Sequence, residues 1–324
     1  MAAERICDVV VTREQLDYLG RYASTPVSPC SPFFNVAPPE ALPAPALEDL
    51  VRRGLLGTAG VEPNLLWTLE LLKGAVAYGA LALQGDAPQG GVACFLSPPY
   101  SAALVGAGPG LRLVSPLPGP ELAALLREAF GTGPAREASF DVDLPPAESL
   151  VLAAALDLLR RDALRSLLDG QGEAVREDAL VAWLARSDHS AQWLLPHLGA
   201  MLDRRGIAFE LAGVRGTLEG LLGRGLLARG QADDLLPSAA VAALVRPLAL
   251  LDHVVQLRAG RAVDGSRAEG AEILVVRALS SLHLLWEVTA QGAIHWTTPS
   301  PGAMSDLAAR LLSRADALAG TASE

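Results

Sequence analysis

Lysine is almost absent from this chain. Lys73 is the only one among 26 basic residues, and Gly74 follows it, so the lysine followed by Ser or Thr that a phosphate-binding P-loop needs cannot be assembled. Cysteine is scarce as well. Cys7, Cys30 and Cys94 form an odd, widely spaced set with no CxxC pair, which argues against a disulfide framework or a zinc site and reads as buried structural thiols. Long apolar runs are also missing. The longest uncharged stretch, 87–111, is broken by Gly90, Gly91, Pro98, Pro99, Gly106, Gly108 and Pro109. A membrane-spanning helix wants about 20 mostly apolar residues without such breaks. Met1 to Arg13 contains no apolar stretch of signal-peptide length, so the expected location is the cytoplasm. Positive charge is in deficit: a formal net charge of −10 and a pI near 5.1 set this surface against nucleic acid and anionic lipid. Neither an HExxH zinc motif nor a GxSxG nucleophile elbow occurs. Gly106-Ala107-Gly108-Pro109-Gly110 lacks the spacing of a dinucleotide fingerprint and a helix after it, and reads as a turn. The expectation is a chain that is not an enzyme, with no cofactor and no metal, that neither binds nucleic acid nor spans a membrane.

What the chain has is bulk and internal repetition. Its 324 residues, 51% of them hydrophobic, can fill a substantial core. Laid upon itself, the sequence matches in one ungapped pattern, LExLxxRGLL. Leu47-Glu48-Asp49-Leu50-Val51-Arg52-Arg53-Gly54-Leu55-Leu56 pairs with Leu218-Glu219-Gly220-Leu221-Leu222-Gly223-Arg224-Gly225-Leu226-Leu227. The order of elements downstream repeats too. Pro63 to Lys73 has apolar residues at helical spacing, as does the run opened by Pro237 that contains Val241, Leu244, Val245 and Leu248. Strands follow at 76–83, 91–96, 102–106 and 111–114 in the first copy, and at 254–257, 271–278, 282–289 and 293–297 in the second. Each copy closes with a helix, 121–130 and 305–312, and each opens with a strand leading to a helix, at Asp8 and at Asp141. This predicts an α+β fold, internally duplicated, in which the halves share a central antiparallel sheet flanked by helices about a pseudo-two-fold axis. The first repeat is residues 1–135 with a proline-rich arm at 25–45. The second is 136–324 with a helical insertion at about 167–205.

Few polar constellations present themselves. Asp188-His189-Ser190 sets acid, imidazole and hydroxyl side by side, yet adjacent residues point in different directions and cannot relay protons to one another, so a helix N-cap at Ser187 or Asp188 is the plainer reading. His283 and Glu287 share one face of a strand but stand beyond direct neighbours, a weak basis for a metal. His253 reads as a satisfied core or surface residue.

With the repeat established, the order of elements resembles the EspG-type chaperones of actinobacterial type VII (ESX) secretion. The residues that carry the resemblance are Arg53-Gly54-Leu55-Leu56, Pro63 to Leu72, Leu111-Arg112-Leu113-Val114 and Leu122-Ala123-Ala124-Leu125-Leu126, within 47–130; 218–312 resembles the profile less closely. The resemblance implies a pseudo-symmetric fold with a central antiparallel sheet and helical bundles. It also implies a cytosolic protein that binds a helical secreted protein or secretion-system component and keeps its apolar tip covered until export. The helical insertion and the proline-rich arm depart from that profile. Trp183, Trp193 and Leu194 in the insertion are the candidate partner contacts, since aromatic residues are enriched at interaction hot spots, with core packing as the competing reading. Two other functions stay open: LxxLxxRGLL followed by strands is also how a winged-helix transcription regulator reads, and an enzyme with an unrecognised site is the third.

Overall fold

The computed structural model describes residues 7–84, 90–132, 139–169, 175–186, 190–208, 210, 213–231 and 234–313. The first half runs β1 (Cys7–Val11), α1 (Arg13–Leu19), α2 (Ala44–Arg52), a small hairpin of β2 (Leu56–Gly57) and β3 (Gly60–Val61), then α3 (Pro63–Lys73). A meander of β4 (Ala77–Gln84), β5 (Gly91–Ser97), β6 (Tyr100–Ala107) and β7 (Gly110–Ser115) follows, closed by α4 (Gly119–Phe130). The second half begins with β8 (Asp141–Leu144) and the long helix α5 (Pro146–Asp169), then β9 (Val175–Arg176), α6 (Glu177–Leu184), α7 (Leu194–Arg204) and α8 (Val214–Gly223). It continues with β10 (Leu227–Arg229), β11 (Asp234–Pro237) and α9 (Ala239–Val245), and ends in β12 (Leu251–Val263), β13 (Ser266–Ala278), β14 (His283–Val288), β15 (Ile294–Thr297) and α10 (Pro301–Ser313).

Local chemistry explains these boundaries. Thr12 and Gln15 form a capping box at the start of α1. The Glu62 carboxylate caps α3 by accepting from the Asn64 and Leu65 backbone N–H groups, with Pro63 at the first helical position. Both LExLxxRGLL segments end a helix in the same way. Gly54 and Gly225 adopt φ of +71° and +69°, and the N–H groups of Leu55 and Leu226 reach back to the carbonyls of Leu50 and Leu221 at 3.0 and 3.1 Å. The glycine N–H groups bond Val51 and Leu222, each at 3.0 Å, which completes a Schellman motif at both sites. A side chain is disfavoured at such a φ, so the RG step is a stop signal for a helix. The motif's helix leads into two- and three-residue strands, and the main sheet has ten, an arrangement unlike the small sheet of a winged-helix module.

That sheet is antiparallel in the order β1-β7-β6-β5-β4-β12-β13-β14-β15-β8. From either edge to the centre, each half lays its strands down in the same sequence, and the halves meet where β4 pairs β12 from Ala77↔Arg261 to Gln84↔Val254. Alternation along the strands separates two faces. On the helix-rich face, Tyr78, Phe95, Ala102, Leu104 and Leu113 pack under α1, α2 and α3, while Leu274, Val276, Leu284, Trp286 and Trp296 pack under α5 to α9. The opposite face holds Leu81, Val92, Cys94, Val105, Leu257, Ile273 and Val275, and among the described residues α4 and α10 cover it.

Those two helices cross between the halves. The C-terminal end of α4, from the first half, meets the second: Arg277 donates to the Glu128 carbonyl at 2.8 Å, the His253 ring bonds the Ala129 carbonyl at 2.8 Å, and Phe130 packs on His283. Reciprocally, α10 lies on β4, where a Cβ on Gly79 would come within 2.4 Å of the Leu311 carbonyl oxygen. The proline-rich arm is folded onto the first half, with Ser28 N–H on the Lys73 carbonyl at 2.8 Å and Phe33 packed on Gly20. Among the described residues of 167–205, α5 ends at Asp169, and α6 and α7 pack into the core of the second half.

Candidate functional site

On the helix-rich face, among the described residues, part of the sheet over β4 to β6 is bordered by the proline-rich arm and two arginines rather than by a helix. A groove of about 490 Å³ lies there, floored by Ala80 and Ala82 of β4, Gly91 and Ala93 of β5, and Leu104 and Gly106 of β6. Small side chains on adjacent strands make the depth. One wall is Cys30, Ser31 and Pro32 of the proline-rich arm, secured by Arg13, which donates to the Pro32 carbonyl at 2.9 Å and pairs with Asp17 at 3.0 Å. At one end Tyr78 lies under the Arg267 guanidinium, 4.1 Å from ring centre, and its hydroxyl accepts from that same group. Among the described residues the groove's charged lining is Arg13 and Arg267, both basic.

Register places a second charged group beside the floor. Arg258 and Gln256 of β12 stand opposite Ala80 and Ala82 on the same face, and Glu272 of β13 stands opposite Arg258. Glu272 accepts from Gln256 at 2.7 Å, from Arg204 at 2.9 Å and from Arg258 at 3.3 Å, and its other oxygen lies 3.3 Å from Arg205. Burial pushes its carboxyl up, but the Arg204 and Arg258 charges and the Gln256 hydrogen bond outweigh this and hold it below the ordinary carboxylate range. Three guanidinium groups thus share one carboxylate that stands two strands from β4, the nearer floor strand of the groove.

The insertion residues lie elsewhere. Leu194 is 0% and Trp183 5% exposed, both in the core of the second half. Trp193 is half-buried, edge-on to Trp183 at 5.3 Å, with the Arg160 guanidinium 5.4 Å from its ring. Packed this way, Trp183 and Leu194 offer no surface to a partner, which is the core reading of these residues, and Trp193 alone keeps part of its surface. The anchor beneath them is Asp157, which is fully buried. It accepts from the Leu194 and Leu195 N–H groups at 2.8 and 2.9 Å and from Arg160 at 2.7 Å, capping α7 from α5. The N-cap expected at Ser187 or Asp188 lies outside the described residues, as do Asp188 and His189. A second hollow, about 810 Å³ between α6 and α8, is bordered by paired charges, Arg215 with Glu177 at 3.0 Å and Arg229 with Glu219 at 2.6 Å.

His283 and Glu287 do share a face of β14, but no group of three His, Cys, Asp or Glu side chains able to hold a metal occurs among the described residues. His253 is satisfied by the Ala129 carbonyl. The groove escaped the sequence reading because alternating apolar strands predict two covered faces, and nothing in β4 or β5 says that the helices stop short of them.

No family model and no curated protein matches the sequence. The fold, however, is that of a solved structure: the Mycobacterium tuberculosis type VII secretion system chaperone EspG5, in complex with the PE25–PPE41 dimer. The match covers 95% of this chain and 96% of that one, with a TM-score of 0.53 and 11% sequence identity. The chain therefore has the EspG-like fold that the resemblance implied, over 95% of its length.

Proposed function

We propose that this protein is a non-catalytic chaperone or adaptor of type VII secretion that binds a helical secreted protein in the cytoplasm. The observation that carries the reading is the agreement in fold, over 95% of the chain, with a chaperone of that system. The open groove gives such a partner somewhere to sit, and no helix among the described residues is long and apolar enough to cross a membrane. The two halves, 1–135 and 136–324, are on this reading diverged copies of one unit, a view supported by the identical chain reversal at the two RGLL segments. Trp193 is the one proposed insertion contact that retains surface.

The test is to isolate the tagged full-length protein from its native cytosol and identify what accompanies it after a high-salt wash. A stoichiometric, salt-resistant, helical secreted protein is expected. Recovery of DNA alone, or of nothing reproducible, sinks the reading, because phosphate-driven binding is lost steeply as salt rises whereas apolar contact is not.

A further inference from the structure

The groove's chemistry specifies its occupant more closely, granted the chaperone reading above. The strands that floor it, β4 and β5, are interior to the sheet and paired on both sides, so no free row of N–H and C=O groups awaits another strand. A segment entering there must already have satisfied its own backbone, which is what a helix does. The floor of Ala80, Ala82, Gly91 and Ala93 is shallow-sided and apolar, with Ala82 exposed, and it suits the bulky apolar stripe of an amphipathic helix.

The rims add a sign. On the arm side stands Arg13, paired with Asp17; on the β12–β13 side stand Arg267 and, next to the floor strand, Arg258, with Arg204 and Arg205 behind it, and Glu272 is the carboxylate these last three share. This concentration of positive charge stands on a chain whose formal net charge is −10. We infer that the groove takes an amphipathic helix whose apolar stripe is flanked on both sides by Asp or Glu, the stripe meeting Ala82 and Ala93 and the carboxylates meeting Arg13 on one side and Arg258 and Arg267 on the other. Guanidinium groups suit this role because they pair with carboxylates bidentately and desolvate more easily than ammonium groups.

Two synthetic amphipathic helical peptides sharing one leucine stripe, flanked by glutamates in one and lysines in the other, are titrated against the full-length protein by fluorescence anisotropy. The glutamate peptide is expected to bind, more weakly as salt rises, and to lose about tenfold in affinity with Arg13→Glu and with Ala82→Glu. Both substitutions are at exposed positions; Arg13→Glu also forfeits the bonds to Pro32 and Asp17, so folding is checked by circular dichroism, and Ala82→Glu, which breaks neither bond, carries the test by itself if the arm shifts. Equal binding of the two peptides, preference for the lysine peptide, no binding of either, or indifference to both substitutions overturns the inference. If a partner found by co-purification still binds the two variants, the groove assignment falls while the chaperone reading stands.

Discussion

At the scale of single residues, two glycines and one histidine make the clearest statements. Gly54 and Gly225 end their helices at φ near +70°, where an L-residue costs roughly 1–2 kcal/mol. A Cβ at either position would meet open space, so the cost is purely conformational. Gly54→Ala and Gly225→Ala are each expected to lower stability by about that amount in urea melts, and equal effects at the two sites would follow from their identical hydrogen bonding. His283 is a different case. Burial, and then the nearby Arg277 charge, push its imidazole from 6.5 down to about 4. The folded state therefore binds fewer protons than the unfolded chain between those two values. The contribution is complete above pH 6.5 and is lost as pH falls toward 4, by about 3 kcal/mol in all. Asp157 works in the opposite sense, since burial raises its carboxyl to about 6 against the pull of Arg160 and the α7 N–H groups. The total slope thus mixes both groups, and comparison with His283→Leu isolates one. The stability difference between the native protein and this variant should shift by that amount over the window, and a flat difference would refute the assignment.

At the scale of elements, the periodicities were a reliable guide wherever one face was buried. The spacing predicts a helix over 63–73 and α3 has those limits, because Glu62 and Pro63 start it and Gly74 stops it. Strands β5, β7 and β8 likewise lie where alternation places them. Strand β12 is longer than predicted, Leu251–Val263 rather than 254–257, because its ladder with β13 continues to the Asp264-Gly265 turn through Arg258, Gly260 and Arg261, residues with no apolar signal of their own. Helix α10 shows what element packing demands. Its backbone sits directly on Gly79, so Gly79→Ala must push the helix off the sheet or bend β4. Overpacking of this kind costs roughly 1–3 kcal/mol, and thermal melts should register it even though alanine suits a strand no worse than glycine does. The insertion residues teach the converse lesson. Trp183 and Leu194 look like interaction anchors in a sequence because aromatic and aliphatic side chains serve cores and interfaces alike, and only the position of α5 beneath them puts them inside.

At the scale of the whole molecule, the halves are joined by more than their linker. Strand β4 pairs β12, α10 covers β4, and the end of α4 is held by His253 and Arg277 of the other half. Expressed alone, 1–135 would present an unpaired β4 edge and an apolar face containing Leu81 and Val92 that α10 no longer covers. Neither 1–135 nor 136–324 is therefore expected to yield a soluble monomer with a cooperative melt, whereas mixing the two during refolding should restore one; a stable isolated half would disprove the interlock. The sequence by itself determined which segments are helix and strand, where the RG steps stop a helix, and the order in which each half lays out its elements, since these depend on contacts a few residues apart. Only the tertiary structure decided that α4 and α10 pack on one face while a groove bordered by the proline-rich arm and Arg267 lies over β4 to β6 on the other. That groove depends on how far packed layers reach across a sheet, a distance no local pattern encodes, and it brings Arg13, Ala82 and Arg267 together, with Arg258 on the strand beside its floor.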